Sequence, residues 1–334
     1  MHRPPKPPVM QQPFADLTPD LILDSTEQAG LIATGTLQAL NSFENRVYKV
    51  GTEEGAFAIK FYRPGRWTDA AIAEEHAFTQ ALVDAEIPAV APRAYGGNTL
   101  FHRAGYRFAL FPWRPGRTGM LETADERMAI GRYLGRLHMA GHGRFHQRLT
   151  LDVQTFVDPA ITTLAESPFL PSDLLSPFRA IAGQLRDAIR ARLQAAAPDI
   201  LRLHGDCHAG NILFDGEQFA IVDFDDSLNG PAIQDLWMLL PGDRTEQEEA
   251  LRALLVGYEM FQPFNRRELA LIEPLRALRL LHYNAWIARR WHDPAFPRAF
   301  PWFAEDRHFR ELVSLLQTQM ERLDAPPLLA GALD

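Results

Sequence analysis

From Thr123 onward the chain reads as one amphipathic helix after another, near 123–141, 171–196, 231–240, 246–260, 267–291 and 306–323, with a single interruption. The interruption, residues 199–226, carries the apolar runs RLHGD, NILF and FAIVDFDD. Each is too short for a helix and is bounded by turn residues, so short strands and loops are expected there. The first third has the opposite character. VYKV and AFAIKFY are β-branched and aromatic and are split by the turn-like GTEEG; a second hairpin pattern, RAYGG, TLFHR and YRFALF, spans 94–111. Two helices accompany these strands: one from Thr18 with Pro19 in its first turn and a stop at Gly30, and one from Thr68 to about Ala85. A β-rich part followed by a helical part with one β-loop island predicts an α+β fold of two lobes. The expected division is a small β-rich N-terminal lobe at 1–112 and a larger helical C-terminal lobe at 113–334, joined through the turn-rich PWRPGR at 112–117.

The island holds the chemistry. In His204-Gly205-Asp206-Cys207-His208-Ala209-Gly210-Asn211, Asp206 and Asn211 are separated by four residues, the spacing of a phosphotransferase catalytic loop. One carboxylate there orients the attacking hydroxyl and accepts its proton, and a nearby amide oxygen holds magnesium against the phosphates. The apolar run Phe219 to Val222 then delivers Asp223, suited to be a second magnesium ligand. Magnesium takes few carboxylates and completes its shell with phosphate oxygens and water, so one Asp and one Asn suffice. Either motif alone is a weak signal; together, between helices and downstream of a strand lysine, they specify much more.

That lysine is Lys60, in Ala58-Ile59-Lys60-Phe61-Tyr62, one of only three in the chain, with Lys6 and Lys49. A lysine in an apolar strand needs partners. Glu75 supplies one, since it sits mid-way on the face of the next helix formed by Ala71, Ile72, Phe78, Leu82 and Val83, while Glu74 points away. The α- and β-phosphates of ATP are the other partners expected. The phosphate loop is expected in the preceding hairpin, Leu40 to Tyr48, where no glycine pattern occurs and Ser42 with backbone amides takes the glycines' role. Asp235, early in the helix after Asn229-Gly230-Pro231, is read two ways: as an acceptor for catalytic-loop amides, or as a first-turn Asp favoured by the helix dipole. Ser227 is the one hydroxyl between Asp223 and that helix, which leaves no room for a long activation loop.

Three other patterns carry competing readings. His204/His208 and His138/His142 are each four apart and could bind zinc on a helix, but Gly205 argues against a helix at 204–208 and no glutamate stands where a metalloprotease base belongs. Cys207 lacks an elbow and a base, so it reads as a packing residue. Trp286, Trp291, Phe296, Phe300 and Trp302 read as a cation-binding box or as helix packing with a proline-rich turn.

Composition limits the partners. A net charge of −8 argues against a broad nucleic-acid surface. Cys207 is the only cysteine, which excludes a disulfide framework and suits a reducing cytoplasm. The proline-rich MHRPPKPPVMQQPF has no apolar run of signal-peptide or membrane-spanning length, and is expected to form a frayed or extended arm. A cytoplasmic monomer without membrane partners is expected.

At a larger scale, HGDCHAGNIL and VDFDDSLNGPAIQDLWMLL resemble the aminoglycoside phosphotransferase and choline kinase-like superfamily. LNSFENRVYKV, AIKFYRPGRWT, EEHAF, GRYLGRLH, LIEPLRALRL and RRWHDPAFPRAFPWF, with those segments, resemble the bacterial stress response kinase A family, over about residues 35 to 305. The resemblance implies a protein-kinase-like fold and ATP- and Mg2+-dependent phosphorylation of a Ser/Thr protein acceptor in a stress response. It makes Asp206 the proton acceptor, Asn211 and Asp223 metal ligands (Asp223 also in the catalytic set), Ser42 the ATP-loop serine, and Lys60 with Glu75 the pair that positions ATP. A small-molecule kinase for an amino alcohol, sugar or aminoglycoside is the alternative; a nucleotide-binding regulator without turnover fits less well, because Lys60, Asp206, Asn211 and Asp223 are all present.

Overall fold

A computed structural model describes residues 12–118 and 121–330. Most of the expected proline-rich arm, residues 1–11, lies outside the described residues. The chain divides into two compact units: Met1–Asp69 with Pro92–Trp113 and Arg290–Ala299, and Ala70–Ala91 with Arg114–Arg289 and Phe300–Asp334.

The first unit is β-rich. Helix α1 (Pro19–Gln28) begins where Thr18 accepts a hydrogen bond from the Leu21 N–H and Pro19 occupies the first turn. Strands β1 (Ala33–Ala39), β2 (Arg46–Thr52), β3 (Gly55–Tyr62), β4 (Phe101–Arg103) and β5 (Tyr106–Pro112) form one antiparallel sheet in the order β1-β2-β3-β5-β4. RAYGG adds no strand; Tyr95 and Asn98 form only an isolated bridge. The two-residue period of β3 sends Phe57, Ile59 and Phe61 into the core with Ile22, Leu31 and Phe108, and puts Lys60 on the opposite face. Burying Ile59 and Phe61 completely contributes roughly 1.5–3 kcal/mol each.

The second unit is mainly helical. Helix α2 (Asp69–Asp84) buries Ala71, Ile72, Glu75, Phe78 and Leu82, while Val83, expected on the same face, is 38% exposed. After β6 (Arg117–Thr118), α3 (Ala124–Ala140) opens with a capping box in which Thr123 and Glu126 satisfy each other's backbone N–H groups. Helix α4 (Asp158–Ala165), preceded by a π-turn at Val153–Val157, is not legible in the sequence, where Pro159, Thr162 and Thr163 lower helix propensity. Then come α5 (Leu175–Ala196), β7 (Leu201–Leu203), β8 (Ile212–Phe214), β9 (Phe219–Ile221) and β10 (Leu228–Gly230). The expected island is thus real: β7 pairs with β10, and β8 lies between β6 and β9.

The helix read at 231–240 is only α6 (Ile233–Trp237). Helix α7 (Arg244–Tyr258) follows, then α8 (Ile272–Arg290) after a 3-10 stretch at Arg266–Leu271, since Pro274 tolerates only a first-turn position. Helix α9 (Ala295–Ala299) belongs to the β-rich unit, and α10 (Asp306–Arg322) closes the helical one. The glycines of GRYLGRLH bring α3 and α7 into backbone contact. A Cβ at Gly131 would lie 2.0 Å from the Leu254 carbonyl oxygen, and one at Gly135 2.5 Å from that of Tyr258. That approach sets His138 against Tyr258, at the base of the site. No helix among the described residues is long and apolar enough to cross a membrane.

Candidate active site

In the helical unit, the turn before Asp206 hangs on one buried carboxylate. Asp235 accepts hydrogen bonds from the backbone N–H of Gly205 (2.8 Å) and of His204 (2.9 Å), and His138 Nε2 lies 3.0 Å from its Oδ2. Of the two readings of Asp235, the loop-holding one is therefore observed. His138 Nδ1 accepts from the Tyr258 hydroxyl at 3.0 Å, and that hydroxyl accepts from Gln262 Nε2 at 2.6 Å. With Nε2 protonated the chain of donors is consistent from Gln262 to Asp235. Gly205 has φ +87°, and a Cβ there would come within 2.2 Å of the Asp226 carbonyl oxygen, so only glycine fits. Behind α6, buried Glu268 accepts the Ile233 N–H at 3.0 Å, and burial pushes its carboxyl up to about 7 despite that bond.

Asp206 projects from this turn between two donors. Arg279 Nη1 of α8 is 2.8 Å from its Oδ1, and His208 Nε2 is 3.4 Å from its Oδ2. His208 is oriented by the Gly210 N–H, which donates to its Nδ1 at 3.0 Å. Burial raises the Asp206 carboxyl, but the His208 hydrogen bond and the Arg279 charge outweigh it and hold it far below the usual carboxylate range. A carboxylate so stabilised is a weak base. It is suited to orient a hydroxyl and take its proton late, as a loose phosphoryl-transfer transition state requires.

Asn211 and Asp223 are brought to the same place by backbone bonds. Asn211 Nδ2 donates to the Asp206 carbonyl oxygen at 3.0 Å, and the Asn211 carbonyl accepts the Val222 N–H at 3.0 Å. The amide nitrogen is thereby committed, which leaves Oδ1 as the atom able to meet a cation. His204 Nε2 donates to the Val222 carbonyl at 3.0 Å, fixing the strand end that presents Asp223. Asp223 is exposed and adopts φ +64°, a left-handed conformation Asp tolerates better than most residues. One amide oxygen and one carboxylate fit a magnesium ion that keeps phosphate and water ligands.

Arg148, which the sequence did not single out, ties α2 to the segment after Asp223. Its Nε donates to the Ser227 carbonyl at 2.9 Å, its Nη2 to the Asp225 carbonyl, and its Nη1 lies 3.9 Å from Glu75 Oε2. Ser227 is fully buried, and the segment after Asp223 is a 3-10 turn at Phe224–Asp226 followed by β10. The neighbouring Glu74 accepts the His146 and Gln147 N–H groups, both at 2.7 Å, and so holds the chain just before Arg148 against α2.

Ser42 and Lys60 belong to the β-rich unit. Lys60 is buried, with its ammonium 5.0 Å from the Tyr62 ring centroid. Ser42 Oγ accepts the Val47 N–H at 3.1 Å, closing the loop between β1 and β2. The loop's carbonyls are gripped from one side: Arg63 donates to those of Glu44 (2.8 Å) and Phe43 (3.1 Å), and Arg46 to those of Phe43 and Asn45 (3.1 Å each). Both arginines bond Asp293, and Glu44 meets Arg290 at 2.8 Å and Arg63 at 3.1 Å. None of residues 40–48 has a positive φ, so the loop holds its shape without glycine.

The histidine, cysteine and aromatic patterns have other surroundings. No group of three or more His, Cys, Asp or Glu among the described residues is arranged to hold a metal. Cys207 is buried and burial pushes its thiol well up, the opposite of an activated nucleophile. Phe296 is fully buried beneath the Arg63 guanidinium, while Trp286, Phe300 and Trp302 pack edge-on among themselves in the helical unit. That is packing rather than a single box.

Residues 36–272 match the phosphotransferase enzyme family. The chain is 44% identical over 319 residues to stress response kinase A of Escherichia coli O157:H7, covering 94% of this chain and 96% of that one. It is 42% identical over 320 residues to the serine/threonine protein kinase RdoA of Salmonella typhimurium, with the same coverage. Among solved structures, the amicoumacin kinase hAmiN, in complex with AMP-PNP, Ca2+ and Ami, superposes with a TM-score of 0.70 at 19% identity, over 92% of this chain and 95% of that one. The chain belongs to the phosphotransferase enzyme family and, within it, to the stress response kinase A family.

Proposed function

We propose that this protein transfers the γ-phosphoryl group of ATP to serine or threonine hydroxyls of other proteins during a stress response, as a cytoplasmic monomer. The observation that carries the chemistry is the bonded cluster of Asp206, Asn211 and the strand end before Asp223. Asp206 orients the acceptor hydroxyl and takes its proton. Asn211 and Asp223 would hold magnesium, which when bound neutralises phosphate oxygens. In residues 1–112, Lys60 pairs with the ATP phosphates and Ser42 shapes the loop that covers them; Glu75 orients Lys60. Residues 113–334 supply the catalytic groups and the acceptor surface. The gripping of three successive carbonyls by Arg46 and Arg63 supports the loop assignment, because a phosphate loop needs its amides turned the other way. Catalysis here is positioning and electrostatics. The protein acceptor is supported by the name of the Salmonella typhimurium relative, a serine/threonine protein kinase, and by Arg279 beside Asp206, which would repel an amine-bearing acceptor.

The test is incubation with γ-labelled ATP and magnesium, offering generic protein and small amino alcohols side by side. Phosphoserine or phosphothreonine formed by the wild type but not by Asp206→Ala is the expected result. Rapid labelling of an amino alcohol with no labelled protein would overturn the protein-acceptor reading.

A further inference from the structure

The catalytic carboxylate is approached from α8 by an arginine, and the same helix face continues as aromatic surface. Arg279, Tyr283 and Trp286 follow one another at i, i+4 and i+7, so they share one face. The Tyr283 and Trp286 rings stack at 5.7 Å and 28°. Phe300 stands edge-on to both, at 6.3 Å and 5.8 Å, and Trp302 edge-on to Phe300 at 6.0 Å. Tyr283 and Trp302 are each 37% exposed, so the cluster presents aromatic surface to solvent on from Arg279.

The sequence along this stretch carries charge of one sign, although Arg290 at its end is already engaged by Glu44. From Arg276 to His292 the sequence, RALRLLHYNAWIARRWH, has four arginines and no carboxylate. Arg276 is engaged by Glu273 and Gln247. Arg279 gives one N–H to Asp206, and its side chain remains 42% exposed. A guanidinium carries five donors in a planar fork, so a second carboxylate can dock on the edge that Asp206 does not use.

We propose that this face docks the acceptor segment of a partner protein and selects a serine or threonine flanked by an acidic residue, with an aromatic or branched aliphatic residue beyond it. The inference rests on the protein-acceptor reading and specifies its substrate class. Spacing follows from helix geometry: Arg279 and Trp286 are about 10 Å apart along the axis, at about 1.5 Å per residue. An extended segment covers that distance in about three residues, at roughly 3.3 Å each. The acidic residue meets the open edge of Arg279, and the apolar residue two or three positions further on packs on Tyr283 and Trp302. Aromatic anchors beside a guanidinium are the residue types that dominate recognition energy at protein interfaces.

The test is a degenerate library of serine peptides, with ATP and magnesium, phosphorylated by wild type, Arg279→Gln, Arg279→Glu and Trp302→Ala. Because Arg279 also touches Asp206, the readout is selectivity, the ratio of kcat/KM for acid-flanked over base-flanked peptides. The wild type should favour acid-flanked peptides about tenfold or more, Arg279→Gln should bring the ratio near one, and Arg279→Glu should invert it. Trp302→Ala should raise KM for apolar-flanked peptides more than it lowers kcat, with KM for ATP unchanged. Acid preference that survives Arg279→Glu, or a wild type indifferent to flanking charge, overturns the inference while leaving the protein-acceptor reading intact. A wild type that labels no peptide but labels a small alcohol overturns both.

Discussion

The turn before Asp206 and the loop around Ser42 are both anchored on carboxylates largely withdrawn from solvent, and the two sets of carboxylates keep different company. Asp235 meets two backbone N–H groups and the His138 ring, and Glu268 behind it meets the N–H at the start of α6. Glu44 and Asp293, beneath the Ser42 loop, meet arginines. The protonation equilibria diverge accordingly. Burial pushes Glu268 up to about 7. For Glu44 burial is outweighed by Arg66, Arg290 and Arg63, and for Asp293 by the Ala295 N–H with Arg63 and Arg46, so both carboxyls are lowered. The turn before Asp206 is thus fixed by directional bonds from backbone N–H groups. The loop around Ser42 is fixed by a charge cluster that grips its carbonyls, which replaces the conformational freedom glycines would supply.

The contrast can be broken most forcefully at Asp235. Asp235→Asn turns an amide N–H2 toward donors already committed, and is expected to cost roughly 4 kcal/mol in denaturant unfolding and to lower kcat by about 100-fold or more. Nucleotide affinity should change little; a comparable loss of ATP binding would show that the two anchors are not separate. At the other anchor, Asp293→Ala strips the shared counter-charge from Arg46 and Arg63. It should cost about 3 kcal/mol and raise KM for ATP about tenfold, with a smaller effect on kcat. An equal fall in kcat would argue against the loop's nucleotide role.

Acid sharpens the comparison, because the two anchors respond with opposite sign. Glu268 has a folded value of about 7 against 4.5 unfolded, so its contribution to stability is fully present below pH 4.5 and is lost as pH rises through 7. Glu44 and Asp293 are lowered, so theirs is present above the ordinary carboxylate range and is lost as pH falls. Glu268→Gln should flatten the thermal stability profile between pH 4.5 and 7 by about 3 kcal/mol, with little change in kcat or in KM for ATP. An unchanged slope would mean that Glu268 is not the group that titrates.

The sequence could show Asp206, Asn211 and Asp223 because their spacing is local, and Lys60 because a lone lysine in an apolar strand is conspicuous. It could show Glu75 because helical period places it on a buried face. The arginines that shape the site were hidden. Arg279 meets Asp206 across 73 residues, Arg148 meets Ser227 across 79, and Arg63 meets Asp293 across 230. In an arginine-rich chain nothing local marks these three, although the acid-free stretch from Arg276 to His292 was a usable signal for the first. Asp235 stayed divided between two readings for the same reason, since a first-turn Asp looks alike whether it caps its own helix or a loop some 30 residues away.

The central claim is that Asp206 performs the transfer while Asn211 and Asp223 serve the nucleotide's metal. Asp206→Asn keeps the side chain's shape and removes its charge. Its turnover with labelled ATP and a protein acceptor should fall about 1,000-fold or more, while magnesium-dependent ATP affinity, measured by calorimetry, stays within about threefold of wild type. Turnover near the wild-type level, or an ATP affinity that collapses with it, would contradict that division of labour.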